Sequence, residues 1–286
     1  MRLEVVESVA DVRRAVAEAR AGGRVVGLVP TMGALHAGHI RLIERCRDEA
    51  GWVAVSIFVN PTQFGPNEDL TRYPRTLDDD LARCRDAGVD LVWAPTPSTV
   101  YPSGPNSTWV EVPVLSDILE GASRPGHFRG VATVVLKLFE VVRPDLAVFG
   151  QKDYQQQLVI RRMVADLHIP VRIVTEPTVR EPDGLALSSR NRYLSPDERG
   201  SATILHGALA RARDAVRGGE TSANRVRQIL RNTIESTGSV RLDYAEVADA
   251  DTLESLERLD PHTRAVALVA ARVGSTRLID NLSLTD

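Results

Sequence analysis

Cysteine is scarce: Cys46 and Cys84 are the only two in 286 residues. Both fall on the apolar side of predicted helices, so two packed thiols are expected, and neither stands at metal-ligand spacing. Aromatic residues make up 5% of the chain, too few for a platform that stacks single-stranded nucleic acid. The formal net charge of -3 gives no overall pull toward nucleic acid, although it leaves room for a local basic patch. No run of about 18 apolar residues exists to cross a bilayer. The opening Met1-Arg2-Leu3-Glu4 has no secretory apolar core, so a cytoplasmic protein that binds neither membrane nor nucleic acid is expected. Repeats and low-complexity tracts are also missing. Hydrophobic content of 43% and charged content of 26% are ordinary, and the length suits about two domains.

The apolar pattern alternates. Strand-like runs at Val25 to Val29, Val53 to Val59, Val89 to Trp93, Leu146 to Phe149 and Val171 to Val174 are separated by helical stretches. Such βαβ order implies a parallel sheet. A helix near Leu77 to Ala87 ends at Gly88, and another from Val131 to Val142 precedes Arg143-Pro144. Segments 61–76 and 95–108, rich in Pro, Gly, Asn and Thr, read as long loops of the kind that serve as lids. A second unit starts at Val179. Ser195-Pro196-Asp197-Glu198 spells a capping box, with helices expected over 196–217 and 222–236. Strands follow at Val240 to Val247, Arg264 to Val273 and Arg277 to Leu282, the last two joined through Gly274-Ser275. The expected fold is α/β: a Rossmann-like parallel sheet with helices on both faces over residues 1–178, plus a smaller C-terminal α+β domain over 179–286.

Between the strand ending at Val29 and a helix with Ile40, Ile43, Cys46 and Ala50 on one face lies Pro30-Thr31-Met32-Gly33-Ala34-Leu35-His36-Ala37-Gly38-His39. Ligands of open α/β sheets bind beyond the carboxyl ends of strands, and a helix N-terminus offers unpaired N–H groups to an anion. Gly33 and Gly38 allow close backbone approach. His36 and His39, three residues apart on a first helical turn, can both donate to phosphoryl oxygens. A zinc reading of this pair lacks a nearby third ligand. His168, His206 and His262 read as packing or surface residues.

Three more constellations follow, two at strand ends and one in the loop before the second unit's first helix. Asn60 and Gln63 place two amides after the second of these strands, suited to orienting a hydroxylated acid without neutralising it. Gly150-Gln151-Lys152-Asp153 supplies a cation for phosphates and a cap or ribose ligand, with Gln156 one turn beyond Lys152. Ser188, Ser189 and Arg190 form a loop able to wrap a triphosphate through hydroxyl and guanidinium donors.

The His-x-Gly-His turn resembles the signature of the nucleotidyl-transferring α/β superfamily. The segments Pro30 to His36, Phe58 to Phe64, Gly150 to Asp153 and Ser188 to Asn191, in this order, resemble the pantothenate synthetase family over nearly the whole chain. That resemblance implies a homodimeric ligase of the coenzyme A pathway that condenses pantoate with β-alanine, using ATP and Mg²⁺. It places ATP on Pro30, Thr31, Met32, Gly33, His36, Gly38, His39, Gly150, Lys152, Asp153, Val179, Leu187, Ser188, Ser189 and Arg190. Pantoate falls to Gln63, Gln156 and Asn60, β-alanine shares Gln63, and the metal falls to Asp79 and Asp80. Departures from the family pattern are Arg83, which cannot assist a metal, Leu187 in place of Met, and Gln151 in place of Glu.

The chemistry implied is activation of a carboxylate as its acyl-AMP, with His39, His36 and Lys152 stabilising the spreading charge and an amine then displacing AMP. His39 and Lys152 are expected to meet on one triphosphate. Residues 65–76 and the second domain are expected to close over the intermediate, with Arg124 and His127 on a further flexible flap. The rival readings are a nucleotidyltransferase acting on another small substrate and a non-catalytic nucleotide sensor. A tRNA synthetase would need a basic anticodon-binding extension that the chain lacks.

Overall fold

The computed structural model describes residues 3–66, 68–105, 108–260 and 262–285; Met1, Arg2, Asn67, Asn106 and Ser107, each within an expectation above, lie outside them. The chain divides into two compact units, residues 1–151 with 155–177, and residues 152–154 with 178–286. The division after Pro177 falls one residue before the expected boundary, and the turn Lys152–Tyr154 sides with the second unit. Two hydrogen bonds explain the excursion. Asn281 Nδ2 donates to the Lys152 carbonyl at 2.9 Å, and the Tyr154 hydroxyl donates to the Ala250 carbonyl at 2.8 Å.

The first unit runs β1 (Glu4–Val6), α1 (Val9–Ala21), β2 (Val26–Thr31), α2 (Ala37–Glu49), β3 (Trp52–Ile57), α3 (Leu77–Asp86) and β4 (Leu91–Trp93). It continues through the short α4 (Pro97–Val100) and α5 (Glu120–Ser123) to α6 (His127–Val142), β5 (Leu146–Gly150), α7 (Tyr154–Asp166) and β6 (Arg172–Glu176). All pairings are parallel, in the order β1-β4-β3-β2-β5-β6. Because β2 and β3 are buried along their length, they read as continuous apolar runs rather than alternations. β1 and α1 are additions to the sequence reading: β1 is a three-residue edge strand with too little periodicity to stand out.

The right-handed crossover rule fixes which helices cover which face. From β2 the chain steps through α2 to β3 and then β4, and it returns on the other side of β2 to make β5 and β6. The strand order therefore reverses between β2 and β5, which opens a crevice at their carboxyl ends. α2 packs across β2, β3, β5 and β6, whereas α1 and α6 pack on β2 and on each other. Val29, Ile43, Cys46, Val55, Cys84 and Leu146 share one core cluster. Both thiols are buried, and burial pushes each of their pKa values up to about 12, so they are inert packing groups as the sequence implied.

The second unit comprises α8 (Pro196–Ala202), α9 (Ile204–Arg217), α10 (Ala223–Glu235) and the antiparallel sheet β7 (Val240–Asp249), β8 (Ala265–Val273), β9 (Thr276–Ser283). The helix expected over 196–217 breaks at Thr203, whose hydroxyl donates to the Gly200 carbonyl at 2.8 Å. That local bond competes with helix continuation beside a glycine and a serine. Ser195 and Glu198 form the anticipated capping box. Leu205, Leu209, Leu230 and Ile234 of α9 and α10 cover the sheet in a single cluster with Val247 and Val269.

Candidate functional site

The turn after β2 is built by strain and relieved by one carboxylate. Gly33 and Ala34 are both left-handed, with φ of +79° and +51°. For Ala34 this conformation costs on the order of 1 kcal/mol. Asp80, at the start of α3, answers it: its carboxylate accepts the Ala34 N–H at 2.9 Å and the Leu35 N–H at 2.7 Å, with the Thr76 hydroxyl at 3.3 Å. Asp80 is 1% exposed. Both Asp80 oxygens are thus engaged by the turn. Asp79 is exposed on α3, and among the described residues no group of three His, Cys, Asp or Glu stands together as a metal centre.

The turn delivers His36 to the N-cap of α2. Its Nδ1 accepts the Gly38 N–H at 3.1 Å, while His39 Nδ1 accepts the His36 N–H at 3.2 Å. The two rings thus form a capping box, a job ordinarily given to Ser and Glu. With Nδ1 accepting in both, the proton of each neutral imidazole resides on Nε2. The ring centroids lie 4.1 Å apart. Two N–H donors and the positive end of a 13-residue helix therefore share the crevice end of β2.

Beyond β3, Asn60 is tied into its own turn and to α6. Its Nδ2 donates to Gln63 Oε1 and the Gly130 carbonyl, both at 3.2 Å. Its Oδ1 accepts from the Tyr101 hydroxyl at 2.8 Å, the Thr62 hydroxyl at 3.0 Å and the Thr62 N–H at 3.3 Å. These bonds engage both ends of the Asn60 amide and make it a support for Gln63. Gln63 donates one N–H to Met32 Sδ at 3.0 Å. Gly130 lets α6 approach this turn, because a Cβ there would stand 2.3 Å from the Thr62 carbonyl oxygen.

Arg124 and His127 are likewise held by polar partners. Arg124 grips Glu68 with Nε at 2.6 Å and Nη2 at 2.7 Å, and Nη1 lies 3.0 Å from His127 Nε2. His127 Nδ1 lies 2.8 Å from the Gln63 carbonyl, so Nδ1 carries the proton and Nε2 accepts from Arg124. Burial, then the adjacent guanidinium, depresses the His127 pKa to about 4. Burial pushes the Glu68 carboxyl up, but the hydrogen bonds and charge of Arg124 outweigh it and hold the group below its ordinary range.

At the end of β5, Gly150 precedes Gln151, whose N–H donates to the Glu176 carbonyl at 2.8 Å. Gln155 is occupied internally, holding the Leu115 and Ile118 carbonyls and the Glu120 N–H. Gln156 is half-buried, with its amide unengaged by the other described residues.

In the second unit, Lys152 Nζ lies 3.7 Å from Asp153. Val179 and Leu187 pair with each other, Leu187 N–H donating to the Val179 carbonyl at 3.0 Å, and the intervening turn uses Gly184 at φ +93°. Ser188 caps the 3-10 turn Ser189–Tyr193 by accepting the Arg190 N–H at 3.3 Å. That turn presents Ser188, Ser189 and Arg190 together at its start.

The family model for pantoate-beta-alanine ligase matches residues 4–283. The chain belongs to the pantoate–β-alanine ligase family. A pantothenate synthetase of Moorella thermoacetica is 53% identical, over 99% of this chain and 99% of the relative. The crystal structure of pantothenate synthetase from Thermus thermophilus superposes with a TM-score of 0.93 at 46% identity, covering 99% of this chain and 100% of that one. A pantoate-beta-alanine ligase from Francisella tularensis, described as complexed with beta-gamma ATP and beta-alanine, gives a TM-score of 0.80 at 33% identity over 99% and 98% of the two chains. In this pantoate–β-alanine ligase, the supporting residues that sequence reading passes over are Tyr101, Gly130, Glu68 and Gln155. Their partners lie 35 to 70 positions away, so no local spacing marks them.

Proposed function

We propose that this ligase activates pantoate as pantoyl adenylate and then transfers the pantoyl group to β-alanine, giving pantothenate, AMP and pyrophosphate. The observation that carries the reading is the imidazole capping box: both rings accept a backbone N–H at Nδ1 at the head of α2, beside the point where the strand order reverses. In the first half-reaction a pantoate carboxylate oxygen attacks the α-phosphorus, the bond to the bridging oxygen breaks, and pyrophosphate leaves. Charge spreading onto phosphoryl oxygens is met by N–H donors that need no rearrangement, His39 first and His36 beside it, with the Lys152 ammonium and the Ser188, Ser189 and Arg190 donors on the phosphates. In the second half, the neutral β-alanine amine attacks the acyl carbon, the bond to AMP breaks, and the amine sheds its proton. No protein nucleophile is required.

In this proposal ATP is also contacted by Pro30 to Gly33, Gly38, Gly150, Asp153, Val179 and Leu187. Gln63 and Gln156 orient pantoate, and β-alanine shares Gln63. Asn60 and the His127–Arg124 pair hold the Gln63 turn in place, which supports assigning substrate contact to its side chain. Magnesium would accompany ATP and neutralise part of the charge on its phosphates. Asp79 and Asp80 would be the carboxylates to hold it, Asp80 being also bonded to the Ala34 and Leu35 N–H groups. Homodimeric assembly and a cytoplasmic setting complete the proposal; no helix of the described residues is long and apolar enough to cross a membrane.

The test is exchange of labelled pyrophosphate into ATP, expected with pantoate and absent with other small hydroxy acids, followed by amide formation across an amine panel. Exchange without pantoate, or label from the α-phosphate retained in a stable product, would replace the ligase reading by nucleotidyl transfer. Tight ATP binding with no exchange at all would leave a sensor.

A further inference from the structure

We infer that Asp280 and Asn281, consecutive on β9, are positioning residues that hold the Lys152 turn and the Ser188–Arg190 turn in one fixed relation, so that both meet the phosphates of a single ATP. The inference rests on the ATP-binding roles proposed above for those two segments. Neighbouring residues on a strand point to opposite faces, so a dipeptide can grip one partner on each. Asp280 and Asn281 are 4% and 3% exposed, although neither is an apolar residue.

On one side, the Asp280 carboxylate takes the Arg180 guanidinium in a two-pronged pair at 2.7 and 2.9 Å. Arg180 also donates to the Gly184 carbonyl at 3.1 Å and the Asn281 carbonyl at 3.2 Å. The paired segment from Val179 to Leu187 is thereby pinned to β9, and Ser188 follows it directly. On the other side, Asn281 Nδ2 holds the Lys152 carbonyl at 2.9 Å. The Asn281 N–H donates to Asp280 Oδ1 at 2.8 Å and locks the two grips together. An ion pair sunk this deep contributes little net stability, because desolvating both charges offsets their attraction. What it does supply is one defined geometry, since a planar fork meets a carboxylate in a single way. Fixing the Lys152 carbonyl fixes the Cα from which its flexible four-carbon stem reaches.

The experiment titrates ATP calorimetrically into the full-length wild type, Asn281→Ala, Lys152→Ala and the double variant, with Asp280→Asn as a second, isosteric probe. Asn281→Ala is expected to weaken ATP binding on the order of tenfold in the wild-type background and less than about twofold when Lys152 is already alanine. Asp280→Asn is expected to raise the KM for ATP while leaving those for pantoate and β-alanine unchanged. A merely structural role would lower the unfolding temperature and the active fraction equally in every background. Equal weakening with and without the Lys152 side chain overturns the inference, as does unaltered ATP affinity in either folded single variant. Should Asn281→Ala not fold, the KM pattern of Asp280→Asn decides. Wild type that binds ATP but forms no pantothenate removes the ligase reading and leaves this inference standing; wild type that forms it, with variants of unaltered ATP affinity, does the reverse.

Discussion

The two regions proposed to handle phosphate are held by different means. His36 and His39 are fixed by bonds within four residues, each ring closing the cap of the helix that carries it. Lys152 and the turn at Ser188 are fixed from afar, by side chains of β9 more than 90 positions along the chain. A locally capped group is set as soon as its helix forms, whereas a remotely held one depends on the packing of a whole sheet. The donors proposed for the reacting phosphorus belong to the first kind, and the cations proposed for the phosphates to the second.

The sharpest way to break this comparison is His39→Asn, which keeps an acceptor near the Nδ1 position and deletes the Nε2 donor. Pantoate-dependent pyrophosphate exchange is expected to fall on the order of 10²- to 10³-fold. Undiminished exchange would reduce the imidazole to a helix cap. The next effect is on stability. His127 titrates at about 4 in the fold against 6.5 as its reference value, so between these the unfolded chain binds a proton that the folded one refuses. Stability is therefore complete above pH 6.5 and is lost as pH falls toward about 4, by as much as about 3 kcal/mol. The check is the unfolding temperature against pH: His127→Asn should flatten the slope in that window, and a slope equal to wild type would clear His127 of the effect.

Asp80→Asn comes third. It leaves one of the two amides at Ala34 and Leu35 facing a donor, at an expected cost of about 2 kcal/mol in urea unfolding. The smallest effect sharpens the contrast from the other side. Ser195→Ala, in a local cap that is itself no proposed ligand contact, should cost about 1 kcal/mol and leave every KM untouched. A KM shift there would show that local caps and remote anchors are not separable.

The same contrast accounts for what the sequence makes legible. The parallel sheet is readable because its strands are apolar runs between helical periods, and the histidine turn because its glycines and imidazoles sit side by side. Two of the groups that engage Asn60, Tyr101 and Gly130, are 41 and 70 residues away, so local spacing does not show how fully it is bonded. Asp80 looks like part of an open acidic run because nothing nearby in the chain shows that Ala34 is left-handed. Arg124 and His127 read as flap residues because Glu68, their anchor, lies inside a stretch whose composition signals only loop. The helix over 196–217 reads as unbroken because its apolar face continues past Thr203. Nearly all of these departures concern a polar group whose partner is distant, where period and spacing carry no signal.

The excursion of Lys152–Tyr154 bears on how far this architecture can be taken apart. A fragment beginning after Pro177 would leave the Asn281 amide and the Ala250 carbonyl without their counterparts, since those belong to a three-residue stitch encoded earlier in the gene. The C-terminal unit is thus no exchangeable cassette. A chimera between relatives would have to carry residues 152–154 along with the segment beginning at 178, and recombination that respects only the single late junction should yield proteins whose lysine is inherited from one parent and its anchor from the other.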